Sequence, residues 1–432
     1  MGSAMNDIDR QSTEIATPNE RPLRVMFVIT SMPVGGAEKL LVEIIRRMDR
    51  SRFAPELCCL KEPGPLGEEL EGELPIHTGF IKKKTDPRIL WRVYRLMRRR
   101  RPDAVITVGT GGDKMFWGRL CGWLARVPVI ASALHSTGLP DRVELPNRLL
   151  APLTDSFIGC AEPHAEYLAR AEGCPAARIR VIPNGVDTDR FQPLDDETRA
   201  ESAALRASLD LPQDAPLVGL VAALRPEKHH ELFVETAARV HATHPACRFL
   251  IIGDGERRAP IEERIAQLDL GETVRLLGTR SDIPQLLQML DVFLLTSHME
   301  ANPVSIMEAM SCGVPIVAPH VGSIPETVIE GKTGMLVEPA EIDAMADAMA
   351  TQVRTLLDDR KLAAKLGAAG RQHIVDHWSV DTMVRGYEDL VTDIYKSKRV
   401  ATSGAKPAAV RRFGLFERLG QLVRSRRIRP EA

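Results

Sequence analysis

Residues Thr296–Gly313 read TSHMEANPVSIMEAMSCG, and the short apolar run Val292–Thr296 leads into them. The apolar run predicts a buried parallel strand. Asn302 is a good helix N-cap residue, and Pro303 suits the first helical position, where its missing N–H is not needed. We therefore predict a strand, a polar turn and a helix that ends near Gly313, the repeating unit of a parallel α/β sheet.

Two glutamates, Glu300 and Glu308, lie in this stretch with seven residues between them. In a parallel sheet, the loops at the carboxyl ends of the strands line the ligand crevice. Carboxylates beside a helix N-terminus can accept sugar hydroxyls, while the free N–H groups of the helix attract phosphate. Glutamates are also common on solvated surfaces, so this pair does not identify a site by itself.

Length and composition indicate a two-domain globular protein. The chain has 432 residues, with 44% hydrophobic and 27% charged residues, too long for one ordinary core. A formal net charge of −1 argues against nucleic acid as the main partner. The seven cysteines are scattered without metal-ligand spacing, which indicates reduced thiols and a cytoplasmic protein.

The order of strand-like and helix-like segments predicts how the chain divides. Apolar runs stay shorter than the roughly eighteen residues that span a bilayer, and the polar N-terminus has no signal-peptide core. We expect these segments: a disordered N-terminus 1–20, a first α/β domain 21–190, a linker 191–214, a second α/β domain 215–378, a final helix 379–396 and a basic tail 397–432.

The first domain opens with the apolar strand Leu23–Thr30, a glycine turn and an amphipathic helix. Gly35 and Gly36 in the turn allow a ligand close to the backbone, although a simple tight turn would look the same. The dinucleotide pattern G-x-G-x-x-G is absent, which disfavours NAD. His135 follows a later apolar strand, where a histidine is either structural or faces the crevice.

The second domain opens with the apolar strand Ala215–Leu224. Arg225 and Lys228 follow it on a loop, where cations can hold a diphosphate and stabilise the charge that grows as it leaves. A glycine turn, Gly253–Gly255, follows another strand.

In combination, these motifs resemble retaining glycosyltransferases of the GT4 type, also called glycosyl transferase group 1. The resemblance rests on E-x7-E with P-E-K, G-D-G and G-x-x-P-E, and it spans residues 24–395. It implies the GT-B fold, in which two Rossmann-like doubly wound domains face each other across a cleft and a final helix packs back on the first domain. It also implies transfer of a sugar from a nucleotide donor without a metal or other cofactor.

The resemblance assigns roles to individual residues. Lys228 neutralises the leaving group, Glu300 binds donor-sugar hydroxyls, Glu308 binds the ribose, and His135 contacts the sugar or the leaving phosphate. The other donor-binding candidates lie in turns at strand ends or in the helix start that follows such a turn: Gly35, Gly36, Arg225, Gly253, Asp254, Gly255, Asn302, Val304 and Ser305. No metal ligand is expected, because no D-x-D stands at a strand tip.

The chain departs from the family pattern at two places. Ala223 stands where the family usually has an arginine, and Arg225 follows two residues later. Pro303 stands where many relatives have a glycine whose amide meets the donor, and proline has no N–H to offer. Phosphate and sugar contacts are thus expected to differ from those of relatives.

Two basic segments have two interpretations each. One contains Lys82–Lys84 and the arginines around Arg88–Arg101; the other is the tail, Lys396–Pro430, with eleven basic residues and one acid. The first is a solvated helix face or a contact for anionic membrane or a phosphorylated lipid acceptor. The second is a disordered tail or a membrane-surface helix.

These observations predict a retaining glycosyltransferase that uses a UDP-sugar or GDP-mannose and a glycan or lipid-linked acceptor. Exopolysaccharide or cell-envelope glycan assembly in the cytoplasm, at the inner membrane face, is the expected setting. An epimerase or phosphorylase of the same fold and a non-catalytic nucleotide-sugar-binding partner remain alternatives.

Overall fold

The computed structural model describes residues 21–81, 88–109, 116–134, 148–196 and 198–403, with side chains through residue 400. His135, Lys82–Lys84 and the tail beyond Ser403 lie outside the described residues, so the predictions made for them stay predictions. No helix of the described part is both long and apolar enough to cross a membrane.

The first sheet has seven strands in the order β3-β2-β1-β4-β5-β6-β7, and every pairing is parallel. Its strands are β1 Leu23–Ile29, β2 Phe53–Cys59, β3 Ile76–His77, β4 Ala104–Gly109, β5 Val129–Leu134, β6 Ser156–Gly159 and β7 Ile179–Val181.

The second sheet has six parallel strands in the order β10-β9-β8-β11-β12-β13. Its strands are β8 Leu217–Val221, β9 Arg248–Ile252, β10 Val274–Gly278, β11 Val292–Leu294, β12 Ile316–Pro319 and β13 Gly334–Val337.

Helices connect the strands, as parallel pairing requires. Those of the first half are α1 Gly36–Arg47, α2 Pro65–Glu68, α3 Arg88–Arg100, α4 Phe116–Ala125 and α5 Glu162–Arg170. Those of the second half are α6 Arg199–Ser208, α7 His230–His241, α8 Arg258–Gln267, α9 Ile283–Gln288, α10 Val304–Ser311, α11 Ile324–Thr327, α12 Ile342–Asp358, α13 Arg360–His377 and α14 Val380–Ser403. Short 3-10 turns occupy Ala151–Leu153, Ala176–Arg178 and Pro226–Lys228.

Strand β1 shows why each sheet is covered on both faces. Val25 and Phe27 belong to one apolar core, while Met26 and Val28 belong to another. Successive side chains of a strand point to opposite faces, so a continuously apolar strand needs helices on both sides. The predicted doubly wound architecture is confirmed.

The chain passes between the two sheets twice, and the two crossings are hydrogen-bonded to each other. The N–H of Val186 donates to Trp378 O at 2.9 Å, and the N–H of Val380 donates to Val186 O at 2.9 Å. Helix α14 then packs on the first sheet, where Tyr387 and Val391 are buried with the first-domain core. The expected return of the final helix is confirmed.

One local prediction was wrong, and the predicted linker contains a helix. The N-cap position of α10 is occupied by Pro303, and Asn302 makes no cap, because Pro303 has an extended backbone (φ −76°, ψ 105°) and the helix begins at Val304. The segment 191–214, read as a polar linker, contains helix α6, whose residue Leu205 packs against the second core.

Candidate functional site

An ion pair lies at the carboxyl edge of the second sheet. Nζ of Lys228 is 2.6 Å from Oε1 of Glu300. Lys228 follows β8 and Glu300 follows β11, which are neighbours in the sheet. The Lys228 side chain is 24% exposed and that of Glu300 8%, so the ammonium remains reachable from the cleft while the carboxylate is mostly shielded from water.

Hydrogen bonds between the two loops hold this pair in place. The hydroxyl of Thr296 donates to the carbonyl of Lys228 at 3.1 Å, and the N–H of His298 donates to the carbonyl of Glu227 at 3.1 Å. His229 has a left-handed backbone (φ 52°), which ends the 3-10 turn and starts α7. The position of Lys228 is therefore set by the backbone of the next loop.

The loop after β12 forms hydrogen bonds to the backbone of Glu300 and its neighbour. The N–H of Ser323 donates to Glu300 O at 3.3 Å, and its hydroxyl donates to Ala301 O. Gly322 has a φ of 54°, and a Cβ there would collide with the carbonyl oxygen of Glu300. Only glycine allows this close approach.

The G-D-G turn lies against the loop that leads to Lys228. The N–H of Leu224 donates to Asp254 O at 3.0 Å, and Gly253 bonds through its N–H to Gly278 O at 2.9 Å. The carboxylate of Asp254 accepts the N–H of Gly255 at 2.8 Å. This turn, predicted to bind the donor, is thus joined to the same edge of the sheet.

Glu308, the second glutamate, is on α10. Burial raises the pKa of its carboxyl to about 7, against the opposing charges of Lys39 and Arg190. Lys39 belongs to α1 of the first domain, so a cation of the first domain is among the charges that act on Glu308. A carboxyl that is half protonated near neutral pH can both donate and accept a hydrogen bond.

Asn302 is buried, and neither its Nδ2 nor its Oδ1 has a hydrogen-bond partner among the described residues. Its backbone carbonyl accepts Nδ2 of Asn184 from the domain crossing at 3.3 Å. The hydroxyls of Ser297 and Thr30, which also follow strands at the carboxyl edges, are buried without a described partner too. Buried polar groups are normally paired, so these three side chains have hydrogen-bonding groups that no described residue uses.

The remaining predicted residues lie in exposed or partly exposed turns. Arg225 is exposed, and its guanidinium forms no hydrogen bond or ion pair with the residues that the structure describes. Val304 and Ser305 form the partly exposed first turn of α10, whose N–H groups have no partner inside the helix. Gly35 precedes α1 and Gly36 starts it, at the helix end that carries Lys39.

The first domain contributes the end of β6 to the facing edge. The N–H of Glu162 donates to Oε1 of Glu326 in the second domain at 3.2 Å. Burial is the main cause that raises the pKa of Glu326, and the charge of Glu162 adds to it. This contact ties the two domains together beside Glu300.

Sequence reasoning missed four residues that the structure places here: Lys39, Arg190, Asn184 and the cross-domain role of Glu326. Asn184 and Glu326 stand in the motifs P-N-G-V-D and G-x-x-P-E, so a signal existed for them. The sequence contains no such signal for Lys39 and Arg190, because a single charged residue on the surface does not form a motif.

The architecture is that of GT-B glycosyltransferases. The solved structure of Anabaena Alr3699/HepE in complex with UDP and glucose matches with a TM-score of 0.73 at 22% identity, over 86% of this chain and 99% of that one.

Sequence comparison identifies the family within the GT-B glycosyltransferases. Residues 201–373 match the family model of glycosyl transferases group 1, and residues 34–190 match that of glycosyltransferase family 4. The chain belongs to this glycosyltransferase family.

Two relatives are informative. The chain is 26% identical to the UDP-Gal:alpha-D-GlcNAc-diphosphoundecaprenol alpha-1,3-galactosyltransferase of Escherichia coli, over 85% of this chain and 96% of the relative. It is 34% identical to the GDP-mannose-dependent alpha-(1-6)-phosphatidylinositol monomannoside mannosyltransferase of Mycolicibacterium smegmatis, over 47% of this chain and 53% of the relative.

Proposed function

We propose that this protein is a retaining glycosyltransferase that needs no metal or other cofactor and moves a sugar from a nucleotide-sugar to a glycan or lipid-linked acceptor. The observation that carries the proposal is the contact of Lys228 with Glu300 at the cleft edge of the second sheet. It puts a cation for the leaving diphosphate beside a carboxylate for the sugar hydroxyls.

In the proposed reaction, the bond from the anomeric carbon to the diphosphate breaks, and a bond to the acceptor hydroxyl forms on the same face of the sugar. The hydroxyl proton passes to the departing diphosphate. The ammonium of Lys228 and the first turn of α10 stabilise the charge that develops on the diphosphate. Arg225, which is exposed on the same loop as Lys228, adds a second cation.

We infer the donor and acceptor classes from relatives. The Escherichia coli relative is named for UDP-galactose and a diphosphoundecaprenol-linked acceptor, and the mycobacterial one for GDP-mannose and a phosphatidylinositol mannoside. We favour a UDP-sugar because the relative matched over nearly its whole length uses one, with GDP-mannose as the second candidate. A lipid-linked acceptor would place the enzyme at the cytoplasmic face of a membrane, in envelope or exopolysaccharide glycan assembly.

The test is a thermal-shift panel of UDP-, GDP- and ADP-sugars, followed by turnover with and without a lipid-linked acceptor. A ligand at 100 times its dissociation constant adds about 2.7 kcal/mol to stability. We expect one nucleotide class to raise the melting temperature. Lys228→Ala should lose turnover, whereas Lys332→Ala, at an exposed lysine in a turn, should keep it.

Other outcomes separate the rival functions. Release of an isomerised nucleotide-sugar without acceptor would indicate an epimerase. Donor binding with no nucleotide release under any condition would indicate a non-catalytic partner. Unchanged turnover in Lys228→Ala would contradict the proposal.

A further inference from the structure

The surface of α3 (Arg88–Arg100) has an unusual composition. The helix contains six arginines and no acidic residue. Ile89, Val93 and Met97 are buried against the first sheet. The opposite side therefore points to solvent, and it carries Trp91 and Arg95 among other exposed residues.

The positive charge of this side is only partly neutralised. Arg100 pairs with the buried Glu56 at 2.8 Å. Arg98 and Arg99 are exposed and form no ion pair with any residue that the structure describes. The guanidinium of Arg95 lies 5.0 Å from the ring centroid of Trp91. A net positive strip thus remains along the outside of the helix.

Exposed apolar side chains accompany these arginines. Trp91 is 60% exposed, unusual for the residue with the largest apolar ring. Helix α4 packs beside α3, where the thiol of Cys121 donates to Leu90 O at 3.5 Å. It presents Trp123 and Leu124, each 40% exposed, and it also has no acidic residue.

We propose that this face, which we call the α3–α4 face and define by Trp91, Arg95, Arg98, Arg99 and Trp123, docks on an anionic phospholipid bilayer. Tryptophan rings partition to the headgroup region, and arginines pair with lipid phosphates there. An acidic protein or a nucleic acid would satisfy the arginines but would leave no apolar layer for the two separate tryptophans.

The inference deepens the proposed function, since it names the surface that brings the enzyme to a lipid-linked acceptor. Vesicle binding is measured without donor or turnover. Failure of one claim is therefore distinguishable from failure of the other.

The experiment is co-sedimentation of the full chain with phosphatidylcholine vesicles, with and without about one third phosphatidylglycerol. Each arginine near an anionic surface contributes roughly fivefold to binding. The triple substitution Arg95→Gln, Arg98→Gln and Arg99→Gln should thus weaken binding on the order of a hundredfold. Trp91→Ala should weaken it severalfold. Anionic vesicles should shift the tryptophan emission of the wild type to the blue, and the shift should be smaller in Trp91→Ala.

A charge-matched control replaces Arg170, Arg199 and Arg385 by glutamine. These arginines are exposed on other elements, so the net charge changes equally and binding should persist. Melting temperatures of all variants establish that each is folded.

The basic tail is the alternative membrane-binding segment of this chain. The triple substitution of Arg411, Arg412 and Arg418 by glutamine tests it in the full chain. Loss of binding in the tail variant together with full binding in the α3 variant would overturn the proposal. Equal binding to neutral and anionic vesicles, or binding of RNA but not of vesicles, would overturn it as well.

Discussion

Nζ of Lys228 and Oε1 of Glu300, which are 72 positions apart in the sequence, lie 2.6 Å apart. Each neutralises the other while no donor is present. We expect an arriving diphosphate to share the ammonium, which frees the carboxylate to accept sugar hydroxyls. The pair would thus be the part of the site that responds directly to the donor.

Removing either partner should impair transfer. Lys228→Ala and Glu300→Ala are each expected to lower kcat/KM on the order of a hundredfold, about 3 kcal/mol. Without Lys228, the charge that develops on the diphosphate loses its neutralising cation. Without Glu300, the sugar loses the carboxylate that orients its hydroxyls. In the double variant, the losses should be less than additive, since the residues act together. Steady-state kinetics of the three variants tests this, with Lys332→Ala as the control. Fully additive losses would show that the two residues act independently.

Asn302→Leu should raise the stability of the protein and weaken its binding of the donor. The amide is buried without a described partner, so a side chain of similar size and no polar atoms should raise the free energy of unfolding by about 1 kcal/mol. The same change should weaken donor binding if the amide contacts the sugar. Melting temperatures with and without the donor give both quantities. A less stable Asn302→Leu variant with unchanged donor affinity would contradict the assignment.

Glu308 should make stability depend on pH. Its pKa in the folded state is raised from 4.5 to about 7 by burial, so the folded protein holds a proton that the unfolded chain has lost between these values. The free energy of unfolding should fall as pH rises through this window, by at most about 3 kcal/mol. Glu308→Gln should remove this slope and be the more stable form at pH 8.

The comparison variant for this experiment is Glu256→Gln, at an exposed glutamate. Denaturant unfolding at several pH values provides the measurement. If the wild type and Glu308→Gln have parallel pH profiles, the carboxyl of Glu308 is already ionised at pH 5 in the folded state.

The crossing between the domains leaves no room for a side chain at Gly185. A Cβ there would lie 2.5 Å from Ser379 O, so Gly185→Ala should lower the free energy of unfolding by roughly 1–3 kcal/mol. At Gly271, a Cβ would meet nothing within 4 Å, and Gly271→Ala should have little effect. Thermal unfolding of both variants tests this. If Gly185→Ala and Gly271→Ala have the same melting temperature, the two crossing segments can move apart at little cost in free energy.

Much of the fold could be predicted from local patterns. The apolar strand Leu23–Thr30 and the basic helix at Arg88–Arg100 both formed as expected, because burial on two faces and helical periodicity leave traces in consecutive residues. The start of α10 could not be predicted so well. Asn302 and Pro303 have the composition of a helix start, but Asn302 is buried at the domain crossing beside Asn184, and tertiary contacts overrode the local preference.

For the site, the sequence by itself determined which side chains follow strands, and hence that Lys228, Glu300 and the G-D-G turn would share one edge of a parallel sheet. That follows from topology, since all carboxyl ends of parallel strands lie at one edge. Only the tertiary structure decided that the charge of Lys39 acts on Glu308 and that Glu326 accepts a hydrogen bond from Glu162. Such pairings depend on how two separately folded sheets are oriented, and no spacing along the chain encodes the distance between them.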